Sequence, residues 1–556
     1  MDKIAKVRGI EDLQEYLHPT EKSLNDHTRI ENLVLVVDKI LSHVSTNHPK
    51  FNFKGSQHQL FKPQIGIHLD IDPDGVTSGS VMYNFLKRNF PECEYYLFHA
   101  QRNEGHGIEK NLQELKKAKL DLLIVVDSST NSVEQCKTLS ELFDIVIIDH
   151  HPISYDNPYA LITNCQLGDY PNKSLSGSAM SYLVCEQITK LCNHCMLEEI
   201  DLCAIGLIAD MMDMGVPENR YLVNQGLLNI TNKGLLKLIE LQKLGLDDLT
   251  TSKLSFNVIT LISSATRCNK LEVALELLTT QDGERIEQLA SELIKLNNQR
   301  KNEQLKLVKR TEKEVKKQLE NNIIIVFDAN IESNYKGLLA NDIAQKYQKP
   351  TIVVSEINGL WKGSGRGCDA VTKFKELLIQ SGLIEFTEGH DSAFGITILP
   401  QNAPLLIKWF NENVTISNTT YDFDLKIKAK FLNESTIKSI EQFSRISGIG
   451  AKKPIFKITD IPIQTPKRNS GNIVRKVIGK EKNVVAFTLG KYKAIKFKTN
   501  ESFGLDIEQA MLQNNNPFCS PKLEILGEVS LNTWTNYKGV TTVDKQFVII
   551  DYKVVN

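Results

Sequence analysis

Three short, almost wholly apolar runs each deliver the chain to an aspartate. Ile65–Leu69 leads to Asp70 and Asp72, Leu122–Val126 to Asp127, and Ile145–Ile148 to Asp149. Val/Ile-rich runs of this length, without polar alternation, read as strands buried on both faces of a parallel sheet. The stretch Val76–Phe90 between the first two reads as a helix. Alternation of this kind predicts an α/β fold with helices covering the sheet. Open α/β sheets bind ligands outside the carboxyl ends of their strands, which is where these aspartates fall.

A chain of 556 residues exceeds one hydrophobic core. Five segments are expected: a helical lead-in over 1–62, an α/β catalytic domain over 63–280, a linking helix over 281–320, a second α/β domain over 321–420 and a β-rich domain over 421–556. From Glu284 to Lys336 there is neither Gly nor Pro, and Arg285–Glu320 is rich in Glu, Lys, Gln and Leu, so it reads as one long helix or two. Strands of the second α/β domain are expected at Ile323–Phe327, Thr351–Ser355 and Ile396–Leu399. Beyond Asp422 come short β-like runs, Ile455–Ile458, Val484–Leu489, Ala494–Lys498, Lys522–Val529 and Gln546–Ile550. They suit a small β-barrel of the oligonucleotide-binding kind.

The net charge of -1 conceals an asymmetry: residues 451–500 hold 13 Lys+Arg against Asp460 and Glu481. A basic module suits a polyanion, and the acidic remainder suits a cation site. The N-terminus lacks an apolar signal core, and no run approaches the roughly 18 apolar residues of a membrane span. Ten scattered cysteines read as reduced thiols, so a cytoplasmic protein is expected. Cys192 and Cys195 have CxxC spacing with Cys185 and Cys203 nearby. No second well-spaced pair follows, which favours thiols over structural zinc.

The chemistry concentrates in His68-Leu69-Asp70-Ile71-Asp72-Pro73-Asp74-Gly75. Four candidate ligands stand at alternate positions, and alternate residues of an extended segment share a face. Asp-x-Asp-x-Asp-Gly also opens a calcium EF-hand, but position twelve is then Val81 instead of Glu, and the preceding run is strand-like. Asp149-His150-His151 follows another strand, and Asp210 ends the largely apolar Leu202–Ala209. Carboxylates gathered on one sheet edge raise one another's pKa values, and bound divalent cations resolve that conflict. Carboxylate plus imidazole points to Mn²⁺ first and Mg²⁺ second.

The order His-x-x-x-Asp-x-Asp, Asp, Asp-His-His, Asp resembles the DHH phosphoesterase superfamily, and within it the RecJ-like single-strand-specific exonucleases. Arg102–Gly107, Pro171-Asn172-Lys173 with Ser176–Ala179, Glu218-Asn219-Arg220 and Ser264–Arg267 resemble family motifs. Gly337–Asn341, Lys362–Gly367 and Gly389–Gly395 resemble a DHH-associated domain, and Ile446–Gly450 with Leu531–Trp534 resemble the family's oligonucleotide-binding domain. The chain departs from the pattern at Ser263, at Tyr335, where the family often has His, and at Glu388, where it usually has Gly.

The resemblance implies two divalent metal ions as cofactors. His68, Asp72 and Asp127 would hold one; Asp74, Asp127, His150 and Asp210 the other, with Asp127 bridging. His151 would contact the scissile phosphate, while Asp70 and Asp149 support the ligands. Arg102, Arg267, Ser364, Gly365, Arg366, Gly389 and His390 would hold phosphate, the Gly-Ser-Gly-Arg segment as a loop that admits it. Lys452, Lys453, Lys457, Lys467, Arg468, Arg475 and Lys476 would track a strand, with Phe456 or Trp534 stacking on bases. The implied activity is 5′→3′ release of mononucleotides from single-stranded DNA, in repair or recombination, by a monomer that works with a single-strand-binding protein or helicase and no membrane. The alternatives are a phosphodiesterase for oligoribonucleotides or cyclic dinucleotides, which typically lacks the basic C-terminal domain, and a non-catalytic single-stranded-DNA-binding scaffold.

Overall fold

The expected parallel sheet is present in the computed structural model, with two strands more than the apolar runs announce. It comprises β1 (Gln64–Leu69), β2 (Glu94–His99), β3 (Leu122–Val126), β4 (Asp144–Asp149) and β5 (Leu161–Asn164). The order is β2-β1-β3-β4-β5 and every pairing is parallel. β2 and β5 are the edge strands. The sequence of β2, Glu-Tyr-Tyr-Leu-Phe-His, is only partly buried and lacks the continuous apolar signature. β3 is buried throughout. The order reverses between β1 and β3, the position at which such sheets open a ligand crevice.

Residues 1–45, 62–100, 107–368, 370–371, 373–416, 422–462, 475–478, 483–489, 492–497, 499, 502–513, 522–535 and 541–555 are described. Arg102, Lys467 and Arg468 lie outside them. The chain divides into two compact units. One is Asp12–Arg300 with Arg445–Lys452; the other is Met1–Glu11, Lys301–Ser444 and Lys453–Asn556. The division falls within a single helix, Gly283–Lys317.

In the first unit, Asp72 caps the helix Pro73–Asn89, with Pro at its first position. This start signal places the helix three residues ahead of the expected Val76. Ser176 caps the helix Gly177–Leu191. The helix Ile200–Ala209 is buried over most of its length and ends at Asp210. Ile65, Ile67 and Leu69 pack with these helices in one core.

The second unit holds two sheets. β6 (Ile324–Phe327), β7 (Thr351–Ile357), β8 (Leu360–Arg366), β9 (Phe386–His390) and β10 (Ala393–Ile398) lie in the order β6-β7-β8-β10-β9. Only β6 and β7 pair in parallel. Here an expectation is corrected: Lys362–Arg366 is no loop but the central strand β8. Its glycines answer to packing, since a Cβ on Gly363 would lie 1.8 Å from the Val353 carbonyl and one on Gly365 2.3 Å from the Phe394 ring.

The C-terminal sheet contains β11 (Leu425–Lys428), β12 (Phe456–Pro462), β13 (Arg475–Ile478), β14 (Val484–Leu489), β15 (Tyr492–Lys496), β16 (Lys522–Thr535) and β17 (Thr541–Val555). Its order is β11-β12-β16-β17-β15-β14-β13. Phe456 is 1% exposed within its core, which removes it as a stacking platform; the side chain of Trp534 lies outside the described set. The described cysteines are free. Among the described residues no helix is long and apolar enough to cross a membrane.

Candidate metal centre

Three strand ends and one helix end converge. Asp70 and Asp72 follow β1, Asp127 follows β3, Asp149 closes β4, and Asp210 closes the helix Ile200–Ala209. The ligand atoms of Asp70, Asp72 and Asp127 lie within 4.8 Å of one another, as do those of Asp74, His150 and Asp210, and those of Asp127, Asp149, His150 and His151. His68 belongs to none of these groups. It stands buried on β1, its Nε2 3.1 Å from the Asn111 Oδ1. The amide oxygen can only accept, so it fixes the proton on Nε2 and leaves Nδ1 as a lone pair.

Asp127 has a left-handed backbone, φ 62°, and its amide donates to the Ile148 carbonyl at 2.9 Å. Asp is among the residues that tolerate this region. Its carboxylate is buried, and a Cβ on Gly177 would lie 2.3 Å from Oδ1. Asp74 is buried beneath the start of the Gly177–Leu191 helix. Its Oδ2 accepts from the Gly177 amide at 2.7 Å, and its Oδ1 accepts from the Ser178 amide at 3.1 Å and hydroxyl at 2.6 Å. Oδ2 therefore keeps the spare lone pair, and the His150 Nε2 lies 3.9 Å from it. Asp72 spends Oδ1 on the amides of Asp74 and Gly75, at 2.9 and 3.0 Å.

Asp149 differs from its neighbours. Oδ1 accepts from both amides of His150 and His151 and from the His151 ring at 2.8 Å; Oδ2 accepts from the Thr130 amide and hydroxyl. Five hydrogen bonds saturate it, as suits a supporting group. Asp70, expected as a supporting group, shares a triad with Asp72 and Asp127.

Burial, then the charges of Asp74, Asp72, Asp70 and Asp149, pushes Asp127 well above the usual carboxylate range. Burial, then the charges of Asp74, Asp72 and Asp70, pushes Asp210 up to about 8 against the opposing charge of His151. Burial lowers His150, and lowers His68 to about 4. Burial opposes the charge on His151, but its hydrogen bond to Asp149 prevails and raises it to about 9. The site thus strains to stay anionic while its buried imidazoles are neutral, the protonation pattern of metal ligands.

The orphaned atoms support a cation more directly. Among the described residues, His68 Nδ1, Asp127 Oδ1 and His150 Nε2 are buried without a hydrogen-bond partner. The last two are 3.1 Å apart, and Asp210 Oδ2 is 3.5 Å from the same nitrogen. Close atoms without hydrogen-bond geometry behave as ligands of a shared ion do. This donor set fits divalent cations.

The other expected residues are scattered. Arg267 ends the helix Thr260–Arg267 in the first unit. In the second, Ser364, Gly365 and Arg366 stand on β8, and Gly389 and His390 on the exposed β9. Several basic candidates turn out to be ion-paired: Lys453 with Glu528, Lys457 with Glu524, and Arg475 with Glu508. Lys476 is exposed. Sequence reasoning missed Asn111 and Thr130, whose partners are 43 and 19 residues away. It noted Gly177-Ser178 only as a motif, although small residues at a helix start are a usable sign of an anion beneath.

Residues 64–207 match the DHH family, N-terminal domain. Residues 423–543 match the RecJ OB domain. A Bacillus subtilis (strain 168) protein named "Putative SPbeta prophage-derived single-strand DNA-specific exonuclease YorK" is 27% identical, over 99% of this chain and 95% of its own. The single-stranded-DNA-specific exonuclease RecJ of the same organism is also 27% identical, over 88% of this chain and 62% of its own length. In fold, the chain is similar to the crystal structure of Thermus thermophilus RecJ in complex with Mn²⁺, with TM-score 0.72 and 20% identity over 99% of this chain and 75% of that one. The Mg²⁺ complex of the same protein gives TM-score 0.66 at 19% identity.

Proposed function

Carrying a DHH-family domain and a RecJ OB domain, this chain is a RecJ-like member of the DHH family, and we propose that it is a metal-dependent exonuclease that degrades single-stranded DNA. The observation that carries this reading is the filled ligand set: buried ligand atoms of His68, Asp127 and His150 at the carboxyl edge of the sheet, without a hydrogen-bond partner among the described residues. The names of the relatives supply the substrate. The RecJ OB domain favours it over the oligoribonucleotide and cyclic-dinucleotide alternative.

His68, Asp72 and Asp127 would hold one divalent ion, with Asp70 close enough to share it. Asp127, Asp74, His150 and Asp210 would hold a second. Mn²⁺ is the first candidate and Mg²⁺ the second. Bound divalent ions supply Lewis acidity and lower the pKa of water. The remaining steps belong to the chain. Asp149 keeps His151 protonated and oriented, and the exposed imidazolium donates to a non-bridging oxygen of the scissile phosphate. Asn111 and Ser178 hold His68 and Asp74 in place, so that little reorganisation accompanies the reaction. The direction is 5′→3′ and the products are mononucleotides. The roles of Arg267 and Arg366 are to hold the strand's phosphates. The protein acts as a monomer in the cytoplasm, with a single-strand-binding protein or helicase as partner.

Single-stranded DNA labelled at either end, incubated with Mn²⁺ or Mg²⁺, tests the reading. Labelled mononucleotide is expected first from the 5′ end. No release with either ion contradicts the enzyme, and early release from the 3′ end contradicts the direction.

A further inference from the structure

Met211 stands where the end of a helix asks for glycine. The helix Ile200–Ala209 closes on a Schellman turn: the Met211 amide donates to the Ile208 carbonyl at 3.3 Å, and the Met212 amide to the Leu207 carbonyl at 3.1 Å. Such a turn needs a left-handed residue after Asp210, and Met211 has φ 55°. Glycine takes that backbone freely, whereas a Cβ is strained there. The helices Lys233–Leu241 and Thr260–Arg267 close on the same turn with Lys243 and Asn269. Among the described non-glycine residues with a positive φ, Met211 is the one apolar side chain. The apolar contact that this turn usually gains falls to Met212, which packs on the core that holds Leu207. Met211 is left 65% exposed.

An exposed methionine by itself means little. This one is strained as well, and it is the residue next to Asp210. Asp74 and His150, grouped with Asp210, are buried, whereas the Asp210 side chain is 31% exposed, so the centre meets solvent there. The turn is also firmly held. The Asp213 amide donates to the Ser174 hydroxyl at 2.9 Å, and the Met214 amide to the Ile449 carbonyl at 2.7 Å. Asn219 and Arg220 donate to the carbonyls of Asp213 and Met214 at 3.0 and 3.2 Å. A strained residue persists where its surroundings over-determine it, and such residues cluster at ligand sites.

We propose that Met211 is a substrate-contacting residue, its thioether packing against the nucleobase of the terminal nucleotide whose phosphate lies at the metal centre. An unbranched, polarizable side chain adapts to the face of any base, as an enzyme that degrades a strand of mixed sequence requires. The choice of a nucleobase as the occupant rests on the exonuclease reading.

The test uses the full chain and two strands: an oligothymidylate, and the same strand with its two terminal nucleotides made abasic. Met211→Gly relieves the backbone and deletes the contact. It should melt no lower than the wild type and titrate Mn²⁺ as the wild type does. Its KM for the oligothymidylate should rise about three- to tenfold with kcat within about twofold, since the lost contact is shared by ground and transition states. The abasic-ended strand should show no such difference, and Met211→Leu should stay within about twofold of the wild type on both. An unchanged KM in a stable Met211→Gly makes the residue only a helix cap and overturns the proposal. A wild type that treats the two strands alike overturns it too. A fall in kcat and Mn²⁺ affinity together would mean that Met211 acts on Asp210 and not on the strand, with the same consequence. Should Met211→Gly not fold, Met211→Asn, which tolerates the same backbone, is read in its place. Anisotropy in EDTA separates this proposal from the exonuclease reading. If neither Mn²⁺ nor Mg²⁺ supports hydrolysis, yet Met211→Gly weakens binding of the oligothymidylate and not of the abasic-ended strand, the contact stands and the exonuclease reading falls. If the strand is cut while KM and binding ignore Met211, the enzyme stands and the contact falls.

Discussion

Asp127 is the residue on which the ligand groups meet, since it is common to the triad with Asp70 and Asp72 and to the group with His150. Asp127→Ala should lower the rate by about 10³-fold or more, as expected when groups acting as a unit lose one member, while single-stranded DNA binding by anisotropy stays within a few-fold. Loss of both together would mean that the centre also carries the affinity. Asp149→Asn tests the supporting role. It leaves the ligand list intact but weakens the hold on His151, and Mn²⁺ affinity or rate should fall about 10–100-fold. At this scale the sequence was informative where an apolar run ends in an acid, because the strand then dictates the acid's address. It was silent on Asn111 and Thr130, which reach their partners through folding alone. Nor did it show that Asp70 would stand with Asp72 and Asp127, because alternation along a segment cannot say where the segment leaves the strand.

Helix approach is what makes the centre tight. A Cβ on Gly206, in the helix Ile200–Ala209, would stand 2.1 Å from the Ser178 hydroxyl and 2.2 Å from the Asp74 Oδ1. Gly206→Ala should therefore cost about 1–3 kcal/mol by overpacking and weaken Mn²⁺ binding in a calorimetric titration. An unchanged titration would show that Asp74 holds no metal. The lead-in is pinned by a second buried network: His27 bonds Glu186 at 2.9 Å and Glu218 at 3.2 Å, and Glu218 also accepts from Asn25, Tyr170 and Asn172. Burial opposes both charges, but these bonds raise His27 to about 9 from 6.5 and lower Glu218 to about 2 from 4.5. A raised His stabilises fully below its unfolded value and loses that contribution as pH rises through its folded value; a lowered Glu loses its own as pH falls. The pair therefore contributes most between pH 4.5 and 6.5, fading by about 9 and by about 2. His27→Ala should lose about 3–5 kcal/mol in that window, and progressively less by pH 9, in denaturant unfolding at a series of pH values. The Glu218-Asn219-Arg220 motif was visible in the sequence, but its structural work was not, since its partner His27 lies 191 residues away.

Taken across the whole chain, composition overstated the basic module. The 13 cations of residues 451–500 suggested a continuous polyanion track. Folding brings Glu508, Glu524, Glu528 and Asp544, all outside that segment, against Arg475, Lys457, Lys453 and Lys493. A window of sequence counts charge by position, whereas a sheet pairs it by register. β12 runs antiparallel to β16, and that register sets Lys457 opposite Leu526, beside the strand that carries Glu524. The salt dependence of DNA binding reports the difference. If every cation of the segment released a counterion, log K would fall against log salt with a slope near about -9, at roughly 0.7 per phosphate contact. Pairing should leave a slope several units shallower, and Lys457→Gln should change affinity by less than about threefold. A slope near the full value, measured by anisotropy between low and physiological salt, would show that the strand displaces the internal carboxylates and that the paired lysines remain available to it.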